Sequence, residues 1–193
     1  KILEKEIIQQ NDTPGSEKSS KAVRIDPLGI QYATNNTRKQ KIKLPDGSVA
    51  YMNTNTKLTF NEDWRKEKQR IVELRGEAYF NVKEKTVNGK NIGFRVKTAN
   101  VTVKVTGTKF DVKNREKETK VFRDEGRVNM SIRGKGQVIQ MTPGDMIAYN
   151  ATTGNLTSFS KKKPDLTSWL GAFDKTERRT SIPENMISSD VQD

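Results

Sequence analysis

The stretch Val101-Thr102-Val103-Lys104-Val105-Thr106-Gly107-Thr108-Lys109-Phe110-Asp111-Val112 decides how this chain is read. Val101, Val103 and Val105 alternate with Thr102, Lys104 and Thr106. That period of two, in β-branched residues, belongs to a half-buried strand. After Gly107 the inward set becomes Thr108, Phe110 and Val112, so the parity changes from odd to even. A one-residue shift turns a strand over, and the chain must therefore bulge or bend at Gly107.

The same texture extends in both directions. Val72, Leu74, Ala78, Phe80 and Val82 keep even parity, and Val128, Met130 and Ile132, then Ile147 and Tyr149, repeat the alternation. Turn signals separate these runs. Pro45-Asp46-Gly47 combines a preset φ with a residue free to take positive φ, Asn88-Gly89 is a hairpin pair, and Pro143-Gly144 suits the centre of a type II turn. Gly134, Gly136 and Gly154 mark further reversals. The reading is all-β: about a dozen short antiparallel strands in a sandwich, jelly roll or solenoid. Helix candidates are confined to the first ten residues and to a stretch near Leu166–Phe173. Residues 1–21 read as a polar tether broken by Pro14-Gly15-Ser16, residues 22–160 as the β domain, and residues 161–193 as a basic and polar C-terminal segment.

Composition bounds the chemistry. The chain has 193 residues, of which 32% are hydrophobic and 31% charged, with a net charge of +12 and neither His nor Cys. Such a chain can bury one modest core. Without His or Cys there is no zinc site of the usual kind, no thiol nucleophile and no Ser-His-Asp triad. No segment approaches the roughly 18 apolar residues that span a bilayer.

The remaining candidate groups have structural readings. Glu73, Glu77 and Glu84 could pair as acid and base in glycoside cleavage. Glu73 and Glu77 are opposite in parity to the core set, however, so a solvated face is expected. Asp111, Asp124, Glu125 and Asp145 lack calcium-loop spacing and read as turn acids. Gly107-Thr108-Lys109 lacks the upstream glycine and following helix of a phosphate loop. Trp169 and Phe173, at i and i+4, read as packing of the chain end on the sandwich. The densest basic runs are Arg38, Lys39, Lys41 and Lys43; Arg65, Lys66, Lys68 and Arg70, with Trp64 alongside; and Lys161–Lys163. They leave open a second function, binding a polyanion such as nucleic acid, an acidic polysaccharide or an anionic membrane surface. The lysines and arginines are scattered and no nucleic-acid-binding motif accompanies them, so a solvated basic surface is the expectation and nucleic acid is not an expected partner. No residue is assigned a catalytic, cofactor-binding or metal-ligating role.

One order of motifs carries a resemblance. Leu44-Pro45-Asp46-Gly47-Ser48 precedes a strand with Met52-Asn53, then Leu74-x-Gly76-Glu77-Ala78-x-Phe80-x-Val82, Phe94-x-Val96-x-Thr98 and Val103-x-Val105-x-Gly107-Thr108-x-Phe110-x-Val112. Val121, Glu125-Gly126-x-Val128 and Met141-x-Pro143-Gly144-Asp145 follow. From Ile42 to Tyr149 the chain resembles the periplasmic domain of the FecR family, the ferric-citrate-regulator type of anti-sigma factor, in its Bacteroidetes texture. The marked residues, Gly47, Gly76, Glu77, Phe80, Gly107, Thr108, Phe110, Gly126, Pro143 and Gly144, are structural in this reading.

The resemblance implies a jelly-roll-like β fold that works by binding, without enzymatic activity or cofactor. It further implies a periplasmic domain anchored to the inner membrane by a helix upstream of Lys1. Such a domain senses the signalling domain of an outer-membrane TonB-dependent transducer. The extracytoplasmic-function sigma factor would be held by a cytoplasmic segment outside this chain. The family pattern continues into a small α/β domain after a Trp-x-x-Gly-type signature. Here Trp169-Leu170-Gly171-Ala172-Phe173 shortens that signature, and the apolar strand and amphipathic helix expected next do not follow.

Overall fold

A computed structural model describes residues 24–26, 29–61, 64, 70–159, 169–171 and 173. The reading of residues 1–21 as a tether, and of the first ten residues as a helix, lies outside the described residues, as does most of residues 161–193. Sixteen strands are described. They are β1 (Arg24–Asp26), β2 (Gly29–Ala33), β3 (Gln40–Lys43), β4 (Val49–Met52), β5 (Lys57–Phe60), β6 (Arg70–Val82), β7 (Thr86–Val87) and β8 (Lys90–Asn91). There follow β9 (Phe94–Lys97), β10 (Val101–Val105), β11 (Thr108–Arg115), β12 (Glu118–Glu125), β13 (Val128–Ile132), β14 (Val138–Met141), β15 (Met146–Asn150) and β16 (Leu156–Phe159).

The fold is all-β, with more strands than the expected dozen, and β6, at 13 residues, is long. Two sheets share β6. Its first half pairs with β5 and β9 in the sheet β1-β2-β5-β6-β9-β10-β13-β14. Its second half pairs with β4 and β11 in the sheet β3-β4-β6-β11-β12-β15-β16. Pairing is antiparallel except between β6 and β9, which run parallel. β7 and β8 form a separate hairpin, turned by Asn88 and Gly89 at φ of 50° and 72°. Positive φ at both positions is the geometry that hairpin twist favours.

The parity change at Gly107 marks a change of sheet. Val101, Val103 and Val105 face the core from the first sheet, while Phe110 and Val112 face it from the second, and all are buried. The chain bends at Thr106–Gly107 rather than bulging there; the register irregularity lies further on, between Lys109 and Phe110. Aromatic contacts join the layers: Phe80 stacks on Phe110 at 5.3 Å and lies 5.9 Å from Phe94. Trp64 is buried against Phe60 and Phe94, at 5.7 and 5.8 Å between ring centroids. The Pro143-Gly144 turn has the expected form, with Gly144 at φ 84° and the Asp145 amide donating to the Thr142 carbonyl at 3.1 Å.

Candidate functional site

Two constellations stand out, one at an end of the sandwich and one on a sheet face. At the end, Arg70 occupies the inward position of β6, in parity with Val72 and Leu74, and is fully buried. Its guanidinium donates to Asp46 Oδ2 at 2.6 Å and to the Lys83 carbonyl at 2.8 Å. It also donates to the carbonyls of Ile92 at 2.6 Å and Thr106 at 3.1 Å. Its charge stands 5.6 Å from the Phe94 ring centre. One planar fork thus ties together four segments that are distant in sequence. Asp46 is placed by its own turn, where it accepts bonds from the Ser48 amide at 2.9 Å and the Ser48 hydroxyl at 2.8 Å.

Several motif residues meet at this same end. Gly47, at φ 80°, completes the turn beside Lys83. A Cβ at Gly126 would fall 2.6 Å from the Gly107 carbonyl oxygen and 2.7 Å from Thr108 Oγ1, so the two motifs require each other's space. The Thr108 hydroxyl donates to the Arg127 carbonyl at 3.1 Å. Pro143 and Gly144 lie apart from this end, in the β14–β15 turn, where the Gly144 amide and the Arg123 carbonyl are 3.1 Å apart. Arg70 had been read with the basic surface, together with Trp64. Both are core residues, so neither contributes to an exposed cationic and aromatic stripe of the kind a polyanion site needs, while Arg65, Lys66 and Lys68 lie outside the described residues. The parity of Arg70 was the signal that could have placed it.

The second constellation lies on the outward face of the second sheet. The strand registers align Lys41, Tyr51, Tyr79, Asp111, Phe122, Met146 and Phe159 in one row. Glu77, Lys113, Lys120 and Ala148 form the next. An outward face of an antiparallel sheet is ordinarily solvated. Here Glu77, Tyr79, Asp111, Phe122 and Ala148 are all buried. This corrects two expectations. Glu77 belongs to no solvated face, although Glu73 and Glu84 are exposed, and Asp111 is a mid-strand residue with no exposure rather than a turn acid. Parity named the side of the sheet correctly but carried no information about what lies on it.

Part of the covering is a helical turn near the end of the chain. Trp169 Nε1 donates to Glu77 Oε1 at 3.1 Å, and Phe173 meets the Tyr51 ring edge-on at 5.1 Å. Trp169 and Phe173 also contact each other, and the Lys39 ammonium lies 6.0 Å from the indole centre. Glu77 Oε2 accepts a bond from Asn53 Nδ2 at 3.1 Å and pairs with Lys113 at 3.4 Å. The Tyr79 hydroxyl donates to Asp124 Oδ2 at 2.8 Å. Burial, and then that bond, hold its pKa well above the ordinary tyrosine range. Asp111 differs from its neighbours: neither carboxyl oxygen has a hydrogen-bond partner. Burial pushes its carboxyl well above the usual aspartate range, and Glu77 adds to this, while Lys113 opposes it.

Neither constellation pairs a nucleophile with a base, and among the described residues no cluster of three acidic side chains could hold a metal ion. What they define is an all-β binding module: a sandwich plugged at one end by an ion pair, with one face partly covered by its own chain. A family model described as FecR protein matches residues 30–129, just over half of the chain. The chain belongs to the FecR family. Two crystal structures, each described as a "putative anti-sigma factor" from Parabacteroides distasonis ATCC 8503, are similar to it at 29% identity and a TM-score of 0.65. The similarity covers 72% of this chain and 63% and 64% of theirs, so it spans under two thirds of the solved chains. No curated protein matches the chain.

Proposed function

We propose that this chain is the sensor and relay domain of a membrane-anchored anti-sigma factor. In this reading it stands in the periplasm, held to the inner membrane by a helix preceding Lys1. It reads the state of an outer-membrane TonB-dependent transducer through that protein's signalling domain. The result passes to an extracytoplasmic-function sigma factor through a cytoplasmic segment outside this chain. The observation that carries the proposal is the FecR match laid over the sandwich, supported by the similar solved anti-sigma structures. The family is a regulatory one, and it fits a site set made of glycines, core β-formers and tied polar groups.

The sheet ends support strand addition or surface docking as the mode of contact. β14 and β16 lie at the ends of the strand path and carry exposed apolar side chains, Val138, Leu156 and Phe159. Titration of the complete protein's extracytoplasmic region with the transducer's signalling domain is expected to give saturable binding, lost when β14 or β16 is interrupted by proline. Absence of binding would overturn the proposal. So would binding only to heparin or DNA that weakens steeply with salt, which would reinstate a polyanion function.

A further inference from the structure

The outward face of the first sheet gathers cations that lie far apart in the sequence. The registers set Lys57 of β5 directly opposite Arg75 of β6, and Arg95 of β9 directly opposite Lys104 of β10. Lys97 stands on the same face, next along β9 from Arg95. With strands about 4.8 Å apart and alternate residues about 7 Å apart, all five fall within roughly 20 Å of one another. Glu73, opposite Lys97, is the one acid at the outward positions of these four strands. Like charges placed opposite each other across a strand pair are destabilising. On the second sheet the pattern differs: Lys109, Lys113 and Lys120 each pair with a glutamate. Lys57, Arg75, Lys97 and Lys104 form no ion pair with another described residue. The face is also open, with Lys57, Glu73, Arg75 and Lys104 exposed and Arg95, Lys97 and Thr102 half-buried.

We propose that this face docks on an anionic phospholipid bilayer, with Arg95, Lys97 and Lys104 at the centre of the contact. Charge complementarity carries the assignment. A bilayer offers many phosphates over a broad surface, and an open sheet face with five cations and one acid meets it without rearrangement. Each cation brought to such a surface strengthens partitioning roughly fivefold. The outward positions of β5, β6, β9 and β10 hold no aromatic side chain, so the face lacks the stacking platform that single-stranded nucleic acid needs. β1 belongs to this same sheet and pairs only with β2, so the chain enters the domain at the first sheet. An anchor upstream of Lys1 delivers that sheet toward the membrane. The choice of a bilayer over another polyanion thus rests on the membrane-anchored reading; the gathering of cations does not. Docking by the first sheet leaves the second sheet facing away from the bilayer, where a protein partner can reach it.

The test is flotation of the full chain with vesicles of mixed phosphatidylglycerol and phosphatidylcholine, against vesicles of phosphatidylcholine alone. Binding is expected only to the mixed vesicles and should weaken as salt is raised. Lys97→Gln combined with Lys104→Gln removes two cations from the face and should weaken partitioning by about twentyfold or more. The pair is expected to fold, because it relieves the like-charge contact of Lys104 with Arg95. Lys43→Gln combined with Lys117→Gln removes the same charge from exposed positions on the second sheet's strands and turns, and should weaken partitioning far less. Equal losses in the two pairs would show a response to net charge alone and overturn the proposal. No binding to the mixed vesicles, or binding that salt does not weaken, would overturn it too. Capture of soluble polyglutamate through Lys97 and Lys104 without vesicle binding would assign the face to an acidic protein instead. Titration with the transducer's signalling domain is read separately: a chain that binds the transducer but no vesicle sinks this inference and leaves the anti-sigma reading standing.

Discussion

At the scale of single residues, Arg70 shows how charge and burial interact. Its fork satisfies a carboxylate and three carbonyls in a site with no solvent access. Removing one partner of such a pair leaves the other buried and uncompensated, at roughly 3–5 kcal/mol. Arg70→Met is therefore expected to lower unfolding free energy by about that amount in urea denaturation. Arg70→Lys should recover only part of it, because an ammonium cannot reproduce the planar set of donors. Combining Arg70→Met with Asp46→Asn should be less harmful than the sum of the two, since the stranded charge is then gone.

At the scale of elements, β6 is the member that makes two sheets one molecule. The crossing point is Gly76, at φ 106°. A Cβ there would stand 2.5 Å from Thr56 Oγ1 and 2.8 Å from the Asn55 carbonyl oxygen. The close approach lets the Thr56 hydroxyl accept from the Glu77 amide at 3.0 Å and fixes β5 and the preceding loop against the corner. Gly76→Ala meets both an unfavourable φ and a backbone clash, and a loss of about 2–4 kcal/mol is expected, read as a lower urea midpoint with an unchanged m-value. Alanine at Gly134, where a Cβ would meet nothing within 4 Å, should cost less than at Gly76 despite its φ of 76°. The motif reading marked Gly76 as structural; the structure uses it both for a bend and for a close approach.

At the scale of the whole molecule, stability should depend on pH through two aspartates of opposite sign. Asp111 has its folded pKa raised well above the ordinary 3.8 by burial, then by Glu77. Its unfolded counterpart ionises first, so stability is full below that value and falls as pH rises toward the folded value. Asp145 is lowered by the Thr142 hydroxyl and amide, which bond its Oδ2 at 2.6 Å each. Its contribution is present above 3.8 and is lost as pH falls. The buried group is the larger lever. Urea denaturation of Asp111→Asn and the parent chain should agree near pH 4 and diverge toward pH 8, with the variant more stable.

Local sequence was sufficient for the all-β class, the turn at Pro45–Gly47, the hairpin at Asn88-Gly89 and the change of face at Gly107. Each rests on backbone sterics or on a period of two, which neighbouring residues decide among themselves. The motif order was likewise legible and led to the FecR family. Tertiary structure alone decided the fates of Arg70, Trp64, Glu77 and Asp111. For Arg70, parity gave a direction, but its four acceptors come from segments up to 36 residues away. For Glu77 and Asp111, parity gave the outward face, whereas their burial depends on a face covered in part by a turn 92 residues beyond Glu77. Burial is a property of what chain returns to a surface, and a strand's own pattern does not encode its return.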